Sequence, residues 1–333
     1  MITLEETKEY LLDLVDTSLN KTLRETNGLY NIEEANGVLN LTIAIGKIGG
    51  EDEANLKNAI VRLVKLNLGY PGVKLKFVDI NNIMPTVKRK IITIGSGKGG
   101  VGKSTVTANI ALALKRLGKK VGIIDADIYG PSIPNVMELE MKDVMADENN
   151  KMLPFLEHGI EIMSTEYFTD HESPIMWRGG MLGKMLGHFF NDVLWSEDLE
   201  YLLIDLPPGT GDVAIDMKQF CPDAKMIVVT TPHMGAAQIA VKAGYGAMQL
   251  GQSILGVVEN MSYFNNPINN EKEYIFGRGG GALVSMKLNT KLLGALSISQ
   301  PTGEYHSLFE PNDYNGKIYL DIATNIINSY KEE

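Results

Sequence analysis

The sequence predicts an α/β fold: a doubly wound, mostly parallel sheet over residues 91–333, preceded by a small α+β domain over residues 1–80 and a linker over 81–90. Two observations carry this reading. From Ile91 onward the apolar runs IITIGS, VGIIDAD, LLIDLP, MIVVTTP, ILGVVEN and LLGALSI alternate with helical stretches. The runs are continuous rather than alternating, as strands buried on both faces must be, and a parallel sheet covered by helices on both sides creates that condition. Before Ile91 the pattern is a helical stripe, a turn and alternating strands, the signature of a separate small unit.

In the first unit Leu4, Leu11, Leu12, Val15 and Leu19 recur at helical spacing and predict a helix. Asn36-Gly37 reads as a turn leading into the strand VLNLTIAI. Leu56, Ile60, Leu63, Val64 and Asn67 mark a second helix over Glu51–Leu68, stopped by Gly69, Pro71 and Gly72, and KLKFVDI then alternates as a strand. The polar, basic segment Asn81–Lys90 is the expected linker.

In the second unit the chemistry falls where the runs end, as it does in open α/β sheets. The first run is followed by Gly95 to Thr105, in which Gly97–Ser104 fits G-x-x-x-x-G-K-[ST]. The loop residues Gly97, Lys98, Gly99, Gly100, Val101 and Gly102 would turn backbone N–H groups toward phosphate oxygens, aided by the dipole of a helix over Ser104–Leu117. Lys103 would neutralise β- and γ-phosphate charge, Ser104 would ligate Mg²⁺, and Thr105 would reach the α-phosphate. Gly95, Gly97 and Gly100 also fit the dinucleotide pattern G-x-G-x-x-G, with Asp125 ending the next strand. A dinucleotide has no use for the Lys103-Ser104 pair, whereas a triphosphate with a metal ion needs both.

The second run ends in Asp125-Ala126-Asp127, two carboxylates at i and i+2 that point the same way along a strand and suit Mg²⁺ and the attacking water. The third ends in Asp205 after Leu202-Leu203-Ile204, the form in which an acidic residue stands near Mg²⁺. The following GTGD, from Gly209, gives a turn suited to sensing the γ-phosphate.

Composition excludes several functions. Net charge is −10, all of it in residues 91–333, because residues 1–90 carry 12 basic and 12 acidic side chains. That argues against broad nucleic-acid binding, although Arg62–Lys90 is +6 and leaves a local phosphate contact open. No run of 18 apolar residues is present, and a C-terminal helix over Tyr314–Tyr330, with its stripe of Ile318, Ile322 and Ile326, lacks the basic face of a membrane-surface helix. The start MITLEETKEY lacks a signal-peptide pattern, so a cytoplasmic protein without a membrane partner is expected. The single cysteine, Cys221, forms no intrachain disulfide and cannot alone hold an iron–sulfur cluster.

Lys98 in GKGGVGKS matches the second lysine of the deviant phosphate-loop ATPases that include MinD and ParA. Together with DADIYGPS, WRGGML, LIDLPPGTGD, TTPH and VVENMSYF, it makes the chain resemble the Mrp/ApbC family of ATPases, known as iron–sulfur cluster carriers; residues 1–80 resemble the MIP18-like domain fused to many of them. The resemblance implies a P-loop NTPase fold, ATP and Mg²⁺ as ligands, ATP hydrolysis and a homodimer. It implies that Lys98 reaches the partner subunit's nucleotide, that Asp127 positions water, that Asp125 and Asp205 support the metal, and that Asn260 binds adenine, whose edge an Asn amide can pair with.

The chain departs from the family at one place. Carriers have a Cys-x-x-Cys just after MSYF, whereas here the stretch is Asn265-Asn266-Pro267-Ile268-Asn269-Asn270, with Asn266 and Asn269 in the cysteine positions. Neutral amides do not replace thiolates around iron, and the five histidines show no spacing that would substitute, so no iron–sulfur cluster is expected. The chain is then similar to the cysteine-poor SalA-like members of the family, and the expectation is an ATP-gated regulator of an unidentified protein or DNA partner. The alternative is a cluster-assembly ATPase that works with ligands from a partner.

Overall fold

The computed structural model describes residues 3–331 apart from 27, 36, 81–88, 129, 141–142, 169–178, 210–216, 219 and 270. Most of the expected linker, Asn36 of the expected turn, and the part of the phosphate-sensing turn after Gly209 lie outside the described residues. The chain divides into two compact units, Met1–Thr86 and Val87–Glu333.

The first unit opens with helix α1 (Leu4–Leu12). Thr3 Oγ1 accepts the Glu6 N–H at 3.2 Å and Glu6 Oε2 accepts the Thr3 N–H at 2.8 Å, a reciprocal cap that stabilises the helix start by about 1 kcal/mol. The helical stripe does not extend to Val15 and Leu19 as the spacing predicts. Val15 instead opens a two-residue strand, β1 (Val15–Asp16), paired with β2 (Lys21–Thr22). The cause is Asp16: its buried carboxylate accepts the N–H groups of Ser18 and Gly46 and the Ser18 hydroxyl, which fixes a turn.

Strands β3 (Leu29–Ala35) and β4 (Val38–Ile45) are antiparallel, and β5 (Gly72–Asp79) runs parallel to β4. Helix α2 (Glu51–Arg62), extended by a π-turn over Leu63–Asn67, makes the crossover from β4 to β5. Leu39, Leu41, Ile43 and Ile45 of β4 bury against Leu56, Ile60 and Val64, each burial adding roughly 2 kcal/mol.

The second unit holds a mostly parallel sheet of nine strands among the described residues. They are β6 (Lys90–Ser96), β7 (Val121–Asp125), β8 (Phe155–Glu157), β9 (Ile160–Ser164), β10 (Tyr201–Asp205), β11 (Lys225–Thr230), β12 (Ser253–Asn265), β13 (Lys272–Glu273) and β14 (Leu292–Ser297). The order is β13-β12-β11-β6-β10-β7-β9-β8, with β14 also on β12. Among the described residues of this sheet, the β8–β9 and β12–β13 pairs are antiparallel and the other strand pairs are parallel. The helices are α3 (Lys103–Arg116), α4 (Ile133–Val136), α5 (Gly179–Asn191), α6 (Met234–Gln249), α7 (Gly280–Lys287) and α8 (Tyr314–Ser329). Among the described residues no helix is long and apolar enough to cross a membrane.

Strand β11 shows why the apolar runs are continuous. Ile227 and Val229 pack into one core with residues of α3 and α8, while Met226 and Val228 pack into another with residues of α6 and α7. Successive side chains face opposite sides, and both sides are covered. In α8, Ile322 and Ile326 are fully buried and Ile318 packs against them, so the stripe is a core face.

Three strand ends share one level. Asp205 of β10 pairs across the sheet with Ile94 of β6 and with Asp125 of β7. That register brings the phosphate loop after β6 and both acidic strand ends to one edge of the sheet.

Candidate nucleotide site

The loop between β6 and α3 uses its glycines for distinct reasons. Gly100 and Gly102 have φ of +77° and +80°, the left-handed region that other residues adopt at a cost. Gly97 is instead confined, since a Cβ there would lie 2.5 Å from the backbone carbonyl carbon of Ile239 in α6. Gly102 is the N-cap of α3 and supplies no side-chain acceptor, so the first helical N–H groups are left for an external anion. Lys98, Gly99 and Gly100 are exposed at the lip, and the Ser96 hydroxyl donates to the Lys98 carbonyl at 3.0 Å.

Below the lip lies a charged centre. Lys103 is buried, its Nζ 2.6 Å from Asp205 Oδ2 and 3.6 Å from Asp127 Oδ2. Asp205 Oδ2 also accepts the Ser104 hydroxyl at 2.6 Å, and Asp205 Oδ1 accepts the Thr107 hydroxyl at 2.7 Å. Ser132 donates to Ser104 Oγ at 2.8 Å. A cleft of about 450 Å³ opens above this group, lined among others by Lys98, Lys103, Ser104, Thr105, Asp127 and Ser132.

Asp125 stands behind the cleft rather than on its wall. Its Oδ1 accepts the Asp127 N–H, and its Oδ2 accepts the N–H groups of Ser132 and Ile133 and the Ser164 hydroxyl. Burial, followed by the neighbouring Asp205 charge, pushes its carboxyl up to about 7 against the opposing pull of these donors. Asn260 is not on the cleft wall either. Its Nδ2 donates to the Val101 carbonyl at 2.9 Å.

Asp127 and Asp205 flank one lysine, and the buried Asp125 lies beside Asp205 on the neighbouring strand. Among the described residues no three His, Cys, Asp or Glu side chains form a metal cage. Mg²⁺ is commonly held by one or two protein groups together with substrate phosphates and water. Ser104 and Asp205, already 2.6 Å apart, have the oxygen chemistry for it.

The sequence reading overlooked Thr107 and Ser132. Thr107 lies one helical turn after Lys103, on the same face, and that spacing was the available signal. Ser132 comes seven residues after Asp125 and meets Ser104 only through the fold.

The segment expected to carry cysteines is the tip of a β-hairpin between β12 and β13. Asn266 Oδ1 accepts the Ile268 N–H at 2.9 Å and Asn269 Oδ1 accepts the Glu271 N–H at 3.0 Å, so both are turn-forming residues. Cys221 is buried, and burial pushes its thiol far up, away from the thiolate a metal needs. This donor set does not fit an iron–sulfur cluster.

A family model described as ParA, NUBPL iron-transfer P-loop NTPase, matches residues 87–327. The chain is 37% identical to an iron–sulfur cluster carrier protein of Bacillus subtilis (strain 168) over 98% of each chain. It is 34% identical to one of Synechocystis sp. over 90% of this chain and 88% of that one. Among solved structures it resembles a nucleotide-binding protein from Archaeoglobus fulgidus in complex with ADP, with a TM-score of 0.53 and 33% identity over 71% of this chain and 87% of that one. Its fold is also that of the cell division ATPase MinD of Pyrococcus furiosus, with a TM-score of 0.54 and 21% identity over 72% of this chain and 99% of that one. With its phosphate loop in place between strand and helix, and relatives matched over nearly its whole length, the chain belongs to the NUBPL iron-transfer P-loop NTPase family, whose curated members here are named iron–sulfur cluster carriers.

Proposed function

We infer that the protein is a Mg²⁺-dependent ATPase that works as a homodimeric, ATP-gated switch, acts on a protein or DNA partner, and holds no iron–sulfur cluster of its own. The observation that carries this reading is the contrast between a glycine loop backed by Lys103, Ser104 and Asp205 and a hairpin whose Asn266 and Asn269 make turns where ligands are needed.

In the mechanism, Lys103 turns from Asp205 to the β- and γ-phosphates, and the Gly97–Gly102 amides and the α3 N-terminus hold the remaining phosphate oxygens. Thr105, on the cleft wall, contacts the α-phosphate. Asp205, once free of the lysine, and Ser104 would hold Mg²⁺, which would supply charge neutralisation at the phosphates. Asp125 acts from behind: by holding the Ser132 and Asp127 backbones it sets Ser132 against Ser104 and aims Asp127 at the cleft. Asp127 orients the attacking water. Lys98, exposed at the lip, serves the nucleotide of the second subunit. Asn260 lies next to the loop, its Nδ2 on the Val101 carbonyl, and the resemblance assigns it to adenine.

Family membership favours a second reading, a cluster-assembly ATPase whose ligands come from a partner. Anaerobic reconstitution with iron, sulfide and reductant separates the two. The first reading expects a colourless protein with less than about one iron per dimer. An Asn266→Cys/Asn269→Cys double variant, offering four thiolates per dimer, serves as the positive control. A cluster that survives desalting in the parent chain and in Cys221→Ser returns the protein to the carrier class. A salt-dependent shift on DNA assigns the partner as nucleic acid, and its absence leaves a protein partner.

A further inference from the structure

Strand β12 has two parts with different neighbours. Its first part lies in the parallel sheet between β11 and β14, and its last residues form the hairpin with β13. Between them the pairing with β14 breaks: Glu259 is opposite Ala295, but the next partner pair is Tyr263 with Ser297. Met261, inside this break, has φ of +56°, a left-handed conformation in which a side chain is strained. The bulge is clamped on one side. The buried Glu259 carboxylate accepts the Ser262 hydroxyl at 2.8 Å and the Gly281 N–H at the start of α7.

The same bulge touches the phosphate loop. Asn260 Nδ2 donates to the Val101 carbonyl, and a Cβ on Gly102 would lie 2.3 Å from that nitrogen and 3.8 Å from Met261 Cε. Asn260 therefore bonds to Val101 and lies against Gly102, and the Met261 side chain ends beside Gly102. Past the bulge, only Ser262, Tyr263, Phe264 and Asn265 separate this contact from the hairpin tip. Bulges redirect a strand and are a recurrent device beside sites.

We propose that Asn260 and Met261 are positioning residues that couple the phosphate loop to the β12–β13 hairpin, so that nucleotide at the loop resets the hairpin. The proposal rests on the nucleotide site described above. A phosphate held by the Val101 and Gly102 backbone draws on the peptide group that Asn260 bonds and on the glycine beside which Met261 ends. The strained bulge takes up the shift, because a left-handed methionine has a lower-energy conformation to relax toward, and Glu259 keeps the sheet side fixed. The motion is delivered along the β12–β13 hairpin to its tip, where Asn266 and Asn269 sit and where Ile268 is 92% exposed. The surface offered to a partner then differs with the nucleotide.

Hydrogen exchange on the full chain, with and without a non-hydrolysable ATP analogue and Mg²⁺, tests this. In the parent chain the amides of Phe264–Glu273 should change exchange by about fivefold or more, the low end of usual coupling between sites. Met261→Gly removes the strain and the side chain that ends beside Gly102, and Ser262→Ala opens the Glu259 clamp. Both should keep protection of the loop amides by the analogue but lose most of the hairpin response, with β10 and β11 exchange reporting an intact fold. A hairpin that ignores the analogue while the loop amides become protected overturns the coupling. So does a hairpin response that persists in both variants. Loop amides unaffected by the analogue in the parent chain would instead sink the nucleotide reading itself.

Discussion

Lys103 and Asp205 are locked together: the lysine Nζ is 2.6 Å from Asp205 Oδ2, and both side chains are buried. The lysine proposed to meet the phosphates is thus paired with the carboxylate proposed to hold the metal.

Replacing Lys103 with Ala should have two effects. ATP turnover should be abolished, because the main positive charge at the transferring phosphate is gone. Asp205 would be left buried without its cation, which should lower the stability of the nucleotide-free protein by about 3 kcal/mol. Phosphate release and urea unfolding measure the two, and near-parental turnover would remove the phosphate-loop assignment.

Asp127→Ala should behave differently. The loop, Lys103 and the Asp205 group remain, so a fluorescent ATP analogue should still bind, while hydrolysis slows by about a hundredfold or more as water positioning is lost. Failure to bind the analogue would make Asp127 a structural or metal residue instead.

Lys98 is exposed and has none of the buried pairing of Lys103. Lys98→Ala should therefore leave folding stability within about 0.5 kcal/mol. It should nevertheless depress hydrolysis and remove the ATP dependence of dimerisation seen by sedimentation. Normal hydrolysis, with dimerisation indifferent to ATP, would end the proposal of a shared site.

Asp125 makes stability depend on pH. Its carboxyl titrates near 7 in the fold against an ordinary 3.8, so the folded state holds the proton more tightly than the unfolded chain. This stabilisation is complete below about pH 4 and is lost as pH rises through about 7. The urea midpoint of the nucleotide-free protein should carry that decline, and Asp125→Asn should remove it whatever its absolute stability. Identical pH profiles for the two proteins would acquit Asp125.

Much of the site was legible because its chemistry is local. A glycine-rich loop ending in Lys103-Ser104 and the carboxylates after apolar runs are contiguous patterns. The buried runs themselves were legible because β7 and β10 are fully buried along their length. What escaped depends on tertiary pairing. Strand β3 (LYNIEEA) carries exposed polar residues, and Tyr30 is more than half exposed, so it lacks an apolar signal. Strands β8 and β9 are short and interrupted by His158-Gly159, both at positive φ. The run ending at Asn260 continues to Asn265 because Met261 adopts a conformation that propensity disfavours, and only the surrounding contacts impose it. Asp125 reads as a metal residue from its spacing, but its hydrogen bonds to Ser132, Ile133 and Ser164 are set by the return of the chain.

Helix α3 is built into the main core along most of its length, with Val106 through Leu114 buried, yet its first turn is capped by a glycine that contributes no acceptor. The protein has in effect outsourced one end of its central helix to whatever anion occupies the loop. By mass action, a ligand at a hundred times its dissociation constant adds about 2.7 kcal/mol to folding. On the proposed nucleotide reading, resistance to unfolding and proteolysis should therefore rise with the concentration of nucleotide.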